Sequence, residues 1–185
     1  SDGGDSYLAE PELINLGSND DCFSGSIAMD QDGTVHVVSG AGGSTGSWGD
    51  KDVYWNYRNM TIGLWMEIPW VAVSETATGT PYPSLIFDSQ NVGHLVYDAA
   101  GTNSQREVFY RTLTGTEWSD PTGFPSDTDG GSTFMPGISI DKNDNLYLAY
   151  IDAHQSGTDL TNNAGDIFTG TNASGEWAVI NFTGT

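Results

Sequence analysis

Six residues carry the side chains best suited to hold a ligand: Trp48, Asp50, Asp98, Arg106, Asp152 and His154. They fall in or at the ends of three polar stretches, residues 39–51, 98–106 and 152–165. An indole beside carboxylates suits a sugar, because the apolar face of the ring stacks on an aromatic while its hydroxyls need paired donors and acceptors. A solvated loop anchored locally by Trp48 would contain the same residues. Two further turns, Asp30-Gln31-Asp32-Gly33 and Asp127-Thr128-Asp129-Gly130, set two carboxylates one residue apart. Hard oxygens of this kind take calcium, although neither turn continues into a twelve-residue loop closed by a glutamate. Asx-turn bonding accounts for the same spacing without metal. The expected cofactor is therefore none, or calcium at Asp30, Asp32, Asp127 and Asp129. Sequons begin at Asn59, Asn172 and Asn181, acceptors for a glycan only in a host that glycosylates.

The elements that must position these residues are legible from a repeat. Asp30, Asp88 and Asp141 each stand in the same phrase: SIAMDQDGTVHVVSG, SLIFDSQNVGHLVYD and GISIDKNDNLYLAYI. The phrases align without a gap. Some twenty residues on, each unit carries a β-rich run opened by an acid, at Asp52, Glu107 and Asp166; each then shows a tryptophan after a glycine, Trp65, Trp118 and Trp177. A fixed period of this length marks repeated supersecondary units. Period-two alternation makes the runs half-buried strands: Ile27 and Met29 share a face, as do Leu85 and Phe87, and Ile138 and Ile140. His36 and His94 hold the same place in the phrase and Tyr147 replaces them in the third copy. A position filled by either type reads as structural rather than metal-ligating. Arg58 and Arg111, in the third strands, read as edge or cross-strand charge partners.

Four antiparallel strands per unit, closed by a tryptophan strand, predict an all-β, β-propeller-type array of three four-stranded blades. Residues 26–83, 84–136 and 137–185 form the blades, and residues 1–25 a leading strand and linker. In the leader, Leu8, Leu13 and Ile14 belong to a stretch similar to the runs around Trp65 and Trp118, so it reads as an extra N-terminal strand without its own sheet. The apolar-x-apolar-Asp phrase, the acid-led strand and the Gly-x-Trp close resemble secreted bacterial propeller repeats of the sialidase-like group. That resemblance implies a secreted propeller. It does not place the sialidase Asp-box, which belongs at the turn between third and fourth strands, whereas the Asp-Gly feature here joins the first two.

Charge narrows the partners. With 25 acidic against 5 basic residues, a formal charge of −20, the chain repels nucleic-acid phosphates and anionic lipid surfaces. No run is long and apolar enough to span a bilayer as a helix. The chain opens on Ser1 with no signal sequence, so it is expected to be a mature or excised piece of a longer precursor, extracellular or at the cell surface. Cys22 is the single cysteine and reads as a small apolar side chain. The expected function is a non-catalytic structural protein. Its open blades and spare strand would pair with copies of itself, or with further blades of a longer chain, into a filament or ring. The alternative is a carbohydrate-binding or carbohydrate-active, sialidase-like propeller fragment with glycans as partners. A sialidase would need an arginine cluster for its anionic substrate, and the chain holds only Arg58, Arg106 and Arg111.

Overall fold

The recurring aspartate folds each phrase into the same hairpin. In the computed structural model, Oδ1 of Asp30, Asp88 and Asp141 accepts the backbone N–H groups two and four residues on, at 2.7–3.0 Å. The third residue after each aspartate is Gly33, Asn91 or Asp144, at φ 81°, 66° and 62°. Glycine, asparagine and aspartate are the types that enter this left-handed region at least cost, which is why the variable-looking turns D-Q-D-G, D-S-Q-N and D-K-N-D are one structure. The structure describes residue 14 and residues 21–42, 51–66, 71–72, 81–100, 106–124, 132–153 and 166–181.

Three antiparallel sheets result. The first holds β1 (Asp21–Met29), β2 (Val35–Gly42), β3 (Lys51–Asn59), β4 (Leu64–Trp65) and β5 (Val71–Ala72); the second holds β6 (Ser84–Phe87), β7 (Val92–Ala100), β8 (Arg106–Thr114), β9 (Glu117–Trp118) and β10 (Thr122–Phe124). The third is β11 (Ser132–Ile140), β12 (Leu146–Ala153), β13 (Asp166–Thr171) and β14 (Ala178–Asn181). No helix occurs among the described residues.

Each sheet was expected to have four strands, yet the first two have five. In the second sheet the fourth strand is split around Pro121, and proline brings no N–H to a ladder; in the first sheet β4 and β5 pair separately with β3. The third sheet has no proline there and keeps a single β14. β1 and β11 also start upstream of the aligned phrases, with a break in register at Cys22/Ser24 and at Phe134/Gly137. The guanidinium groups of Arg58 and Arg111, expected as charge partners, donate to the carbonyls of Gly63 and Ser119, tying the fourth strand to the third.

The sheets stack face on face, with their first strands side by side. Val38, Val53 and Trp55 of the first sheet form one core with Leu85, Leu95, Tyr97 and Leu113 of the second. Val96, Val108 and Phe124 from the other face of the second sheet form another core with Ile138, Leu146, Leu148 and Tyr150 of the third. The repeated tryptophans seal these contacts in equivalent ways: Trp118 meets Trp55 edge-on at 5.7 Å, and Trp177 meets Tyr110 and Phe124 at 5.5 and 5.1 Å. Serine hydroxyls register the first strands, Ser26 Oγ accepting from the Leu85 N–H and Ser84 Oγ from the Ile138 N–H. The aspartate turns are also bonded to one another, through Gln31 and Asn91 and through Ser89 and Asp144.

Of the leading strand, Leu8 and Leu13 lie outside the described residues, and Ile14 is half-buried outside any strand. The shared faces of the first strands part company in their burial. Leu85 and Ile138 are buried, whereas Ile27 and Met29 are 70% and 65% exposed, because no described sheet precedes the first.

Candidate functional site

The two ends of the stack are built differently. At the aspartate-turn end, nearly every polar group bonds within or between turns. His36 accepts the Trp55 Nε1–H on Nδ1 (3.2 Å), which puts its proton on Nε2 to meet Asp30 Oδ2 (3.3 Å). His94 repeats this, its Nε2 on Asp88 Oδ2 (3.2 Å) and its Nδ1 taking the Tyr110 hydroxyl (2.6 Å); in the third copy the Tyr147 hydroxyl donates to Asp141. The repeated His or Tyr is thus a brace between turn and sheet. Burial lowers the His36 pKa against the opposing pull of Asp30, so the ring is held neutral. Burial, with the Asp88 charge beside it, pushes the Tyr110 phenol up to about 12.

Asp30 Oδ1 is bonded to the backbone of its own turn, and Asp32 Oδ2 accepts from the Asn91 amide. Among the described residues no group of three or more His, Cys, Asp or Glu side chains is placed to hold a metal. Asp127 and Asp129 lie outside the described residues. Asn59 and Asn172 sit at the turns before β4 and β14, each half-buried with its side-chain oxygen accepting backbone N–H groups; Asn181 lies in β14.

The opposite end gathers charge below the surface. Asp98, late in β7, and Asp152, late in β12, are both fully buried. Asp98 faces the third sheet beside Val96, and Asp152 faces the second beside Tyr150, so both carboxylates enter one sheet–sheet interface. Asp98 accepts the Tyr82 N–H and the Arg106 guanidinium, each at 2.6 Å, and the Met135 N–H. Burial nevertheless dominates and raises the Asp98 carboxyl above the usual carboxylate range, with Arg106 pulling it down. Arg106 spans the interface: its guanidinium lies 5.6 Å over the Phe134 ring, and its N–H donates to Ser132 Oγ. Thr133, the β11 partner of Asp152, donates to the Arg106 carbonyl.

Three residues that sequence reasoning missed complete this end. Tyr82 is 37% and Met135 45% exposed, and Phe134 is half-buried with its ring under the Arg106 guanidinium. Met135 stands at φ 51°, an uncommon conformation for a side chain of its kind, at the point where β11 breaks register. The break turns its N–H onto Asp98. Backbone held in such a region persists where its surroundings over-determine it, and functional sites are where this concentrates. The sequence signal was present but plain: Tyr82-Pro83 and Met135-Pro136 both immediately precede a repeat phrase. Of the six expected rim residues, Asp98 and Arg106 are paired and Asp152 is buried late in the adjoining β12, while Trp48, Asp50 and His154 lie outside the described residues.

No protein-family model matches this chain. No curated protein matches it either. Solved structures do. It is similar to a protein of unknown function from Dyadobacter fermentans, with a TM-score of 0.62 at 10% identity, covering 90% of this chain and 56% of that one. A levansucrase from Bacillus subtilis follows at a TM-score of 0.54 and 13% identity, covering 80% and 46%; an endo-arabinase from Bacteroides thetaiotaomicron gives 0.51 and 14%, covering 85% and 61%. The chain thus spans about half to three-fifths of the length of each. At these identities the likeness is one of fold. It defines the class: an all-β protein of three stacked antiparallel sheets, with the propeller-type folds of the levansucrase and endo-arabinase as its structural neighbours.

Proposed function

We propose that this chain is a carbohydrate-engaging segment of a propeller-type protein, binding a neutral sugar at the end where Asp98, Arg106 and Asp152 meet. The observation that carries this is the contrast between the two ends. One consists of turns bonded to themselves; the other holds two fully buried carboxylates and a guanidinium beneath exposed Tyr82 and Met135. Removing such charges from water is a poor route to stability, since apolar replacements commonly do as well or better, whereas anchoring a ligand surface gives the cluster a use. Tyr82 and Phe134 supply ring faces on which a sugar can stack.

The neutral class follows from charge. The chain carries a formal −20, and the guanidinium groups of Arg58, Arg106 and Arg111 are engaged by Gly63, Asp98 and Ser119. A sialidase-type grip on a carboxylated sugar therefore has little support here, and neutral hexoses or pentoses fit better. Of the two readings drawn from the sequence, carbohydrate engagement is the better supported, because the fold is one that sugar-active proteins share. The reading commits to binding, with turnover as a further outcome. An array of neutral and anionic glycans tests it, followed by calorimetry on hits with the wild type and Tyr82→Ala. Binding of a neutral glycan that falls at least tenfold in the variant is expected. No neutral hit, or a hit indifferent to Tyr82, contradicts it.

A further inference from the structure

The stack repeats one interface twice and leaves its two halves unmatched at the ends. In each internal interface a projecting face sits on a receiving face. Leu85, Phe87 and Trp118 of the second sheet project onto Val38, Trp55 and Tyr57 of the first; Ile138, Ile140 and Trp177 of the third project onto Val96 and Tyr110 of the second. The first sheet carries its own projecting row, Ile27, Met29 and Trp65, at the equivalent positions. Ile27 and Met29 stand 70% and 65% exposed.

The third sheet carries the matching receiving face, which is also open. By register, Ala149 holds the place of Val38 and Val96, and Thr169 that of Trp55 and Tyr110. Smaller side chains at these places leave a hollow of about 550 Å³, lined by Tyr147, Ala149, Thr169, Thr171 and Ile180 among others. Ile180 is 64% and Tyr147 45% exposed. Exposed rows of this size on a water-facing sheet mark a surface that is covered in use.

We propose that the occupant is a second copy of this chain, its first sheet seated in the hollow of the third. The warrant is continuity: the same pair of faces already packs twice within the chain, and the projecting row of a second copy supplies the volume that Ala149 and Thr169 leave empty. The contact is head to tail, so each copy keeps one face for the next. The formal charge of −20 opposes association, so salt strengthens it by screening. This inference is independent of sugar binding.

The experiment is sedimentation equilibrium of the chain across a concentration series at low and high salt. It uses Ile27→Glu on one face and Ala149→Glu on the other, both exposed positions whose variants are checked by circular dichroism. Wild type should rise to at least twice the monomer mass, more readily at high salt, and each variant alone should remain monomeric. An equal mixture of the two variants should reach twice the monomer mass and stop, because each retains the face the other has lost. A wild type that stays monomeric, as it would if further sheets of a longer polypeptide cover these faces, overturns the proposal. Variants that associate like wild type, or a mixture that stays monomeric, overturn it equally.

Discussion

Truncating Trp118 to alanine tests whether the repeated tryptophans hold the sheets together. Trp118 is half-buried and stands edge-on to Trp55 across the first interface. A tryptophan carries about 200 Å² of surface; half of it returned to water at about 25 cal/mol/Å² loses roughly 2.5 kcal/mol. The edge-on pair adds about 0.5–1.5 kcal/mol, so Trp118→Ala should destabilise by about 3 kcal/mol. The indole N–H, however, is buried and makes no hydrogen bond, a burden of about 1 kcal/mol or more that phenylalanine would remove. Trp118→Phe should thus fall within about 1 kcal/mol of wild type, loss of ring area offsetting relief of the N–H. Trp65 holds the same place on the first sheet and is also half-buried with its indole N–H unbonded. It has no ring pair with a described neighbouring sheet, so Trp65→Ala should cost about 2.5 kcal/mol, less than Trp118→Ala by the edge-on pair. Urea unfolding followed by circular dichroism, at concentrations where the chain is monomeric, reads all three. A Trp118→Ala loss below about 0.5 kcal/mol, or one smaller than the Trp65→Ala loss, would refute the inter-sheet role.

Because burial lowers the His36 pKa below its unfolded value, its contribution is present above about pH 6.5 and is lost as pH falls through the folded value. Urea midpoints should drop on acidification in that window, and the part due to His36 should vanish in His36→Phe. The Tyr110 phenol, raised to about 12, works in the other direction: its contribution persists below pH 10 and is lost as pH rises through about 12. Spectrophotometric titration should show a tyrosine ionisation near the top of the accessible range that is lost in Tyr110→Phe. Gly40→Ala would put a Cβ 2.4 Å from the Pro81 carbonyl oxygen, forcing backbone to move, and should cost about 1–3 kcal/mol in the same urea assay.

The repeat was legible because its physics is local. An aspartate that bonds the N–H groups two and four residues on needs a residue tolerant of positive φ between them, and Gly33, Asn91 and Asp144 meet that need in different letters. The tryptophan and histidine positions were legible as structural because they recur. The split of the fourth strand was less so, since Pro121 in a run otherwise suited to a strand shows its effect only once the ladder is drawn. Exposure of Ile27 and Met29 depends on what lies beyond the first sheet, which no alternation within β1 encodes. At the candidate site, Asp98, Arg106 and Asp152 were chosen for their types and loop-end positions. Their burial in one interface, and the arrival of Tyr82, Phe134 and Met135 beside them, come from contacts between strands tens of residues apart.

The most direct test of carbohydrate engagement at this end is a residue-resolved NMR titration of the isotope-labelled chain with a neutral sugar found on the array. The account predicts amide shifts that saturate and concentrate at Tyr82, Asp98, Arg106 and Phe134 to Met135, with the turns at Asp30, Asp88 and Asp141 unmoved. Saturating shifts at those turns, or no shifts at the Asp98 end, would contradict it.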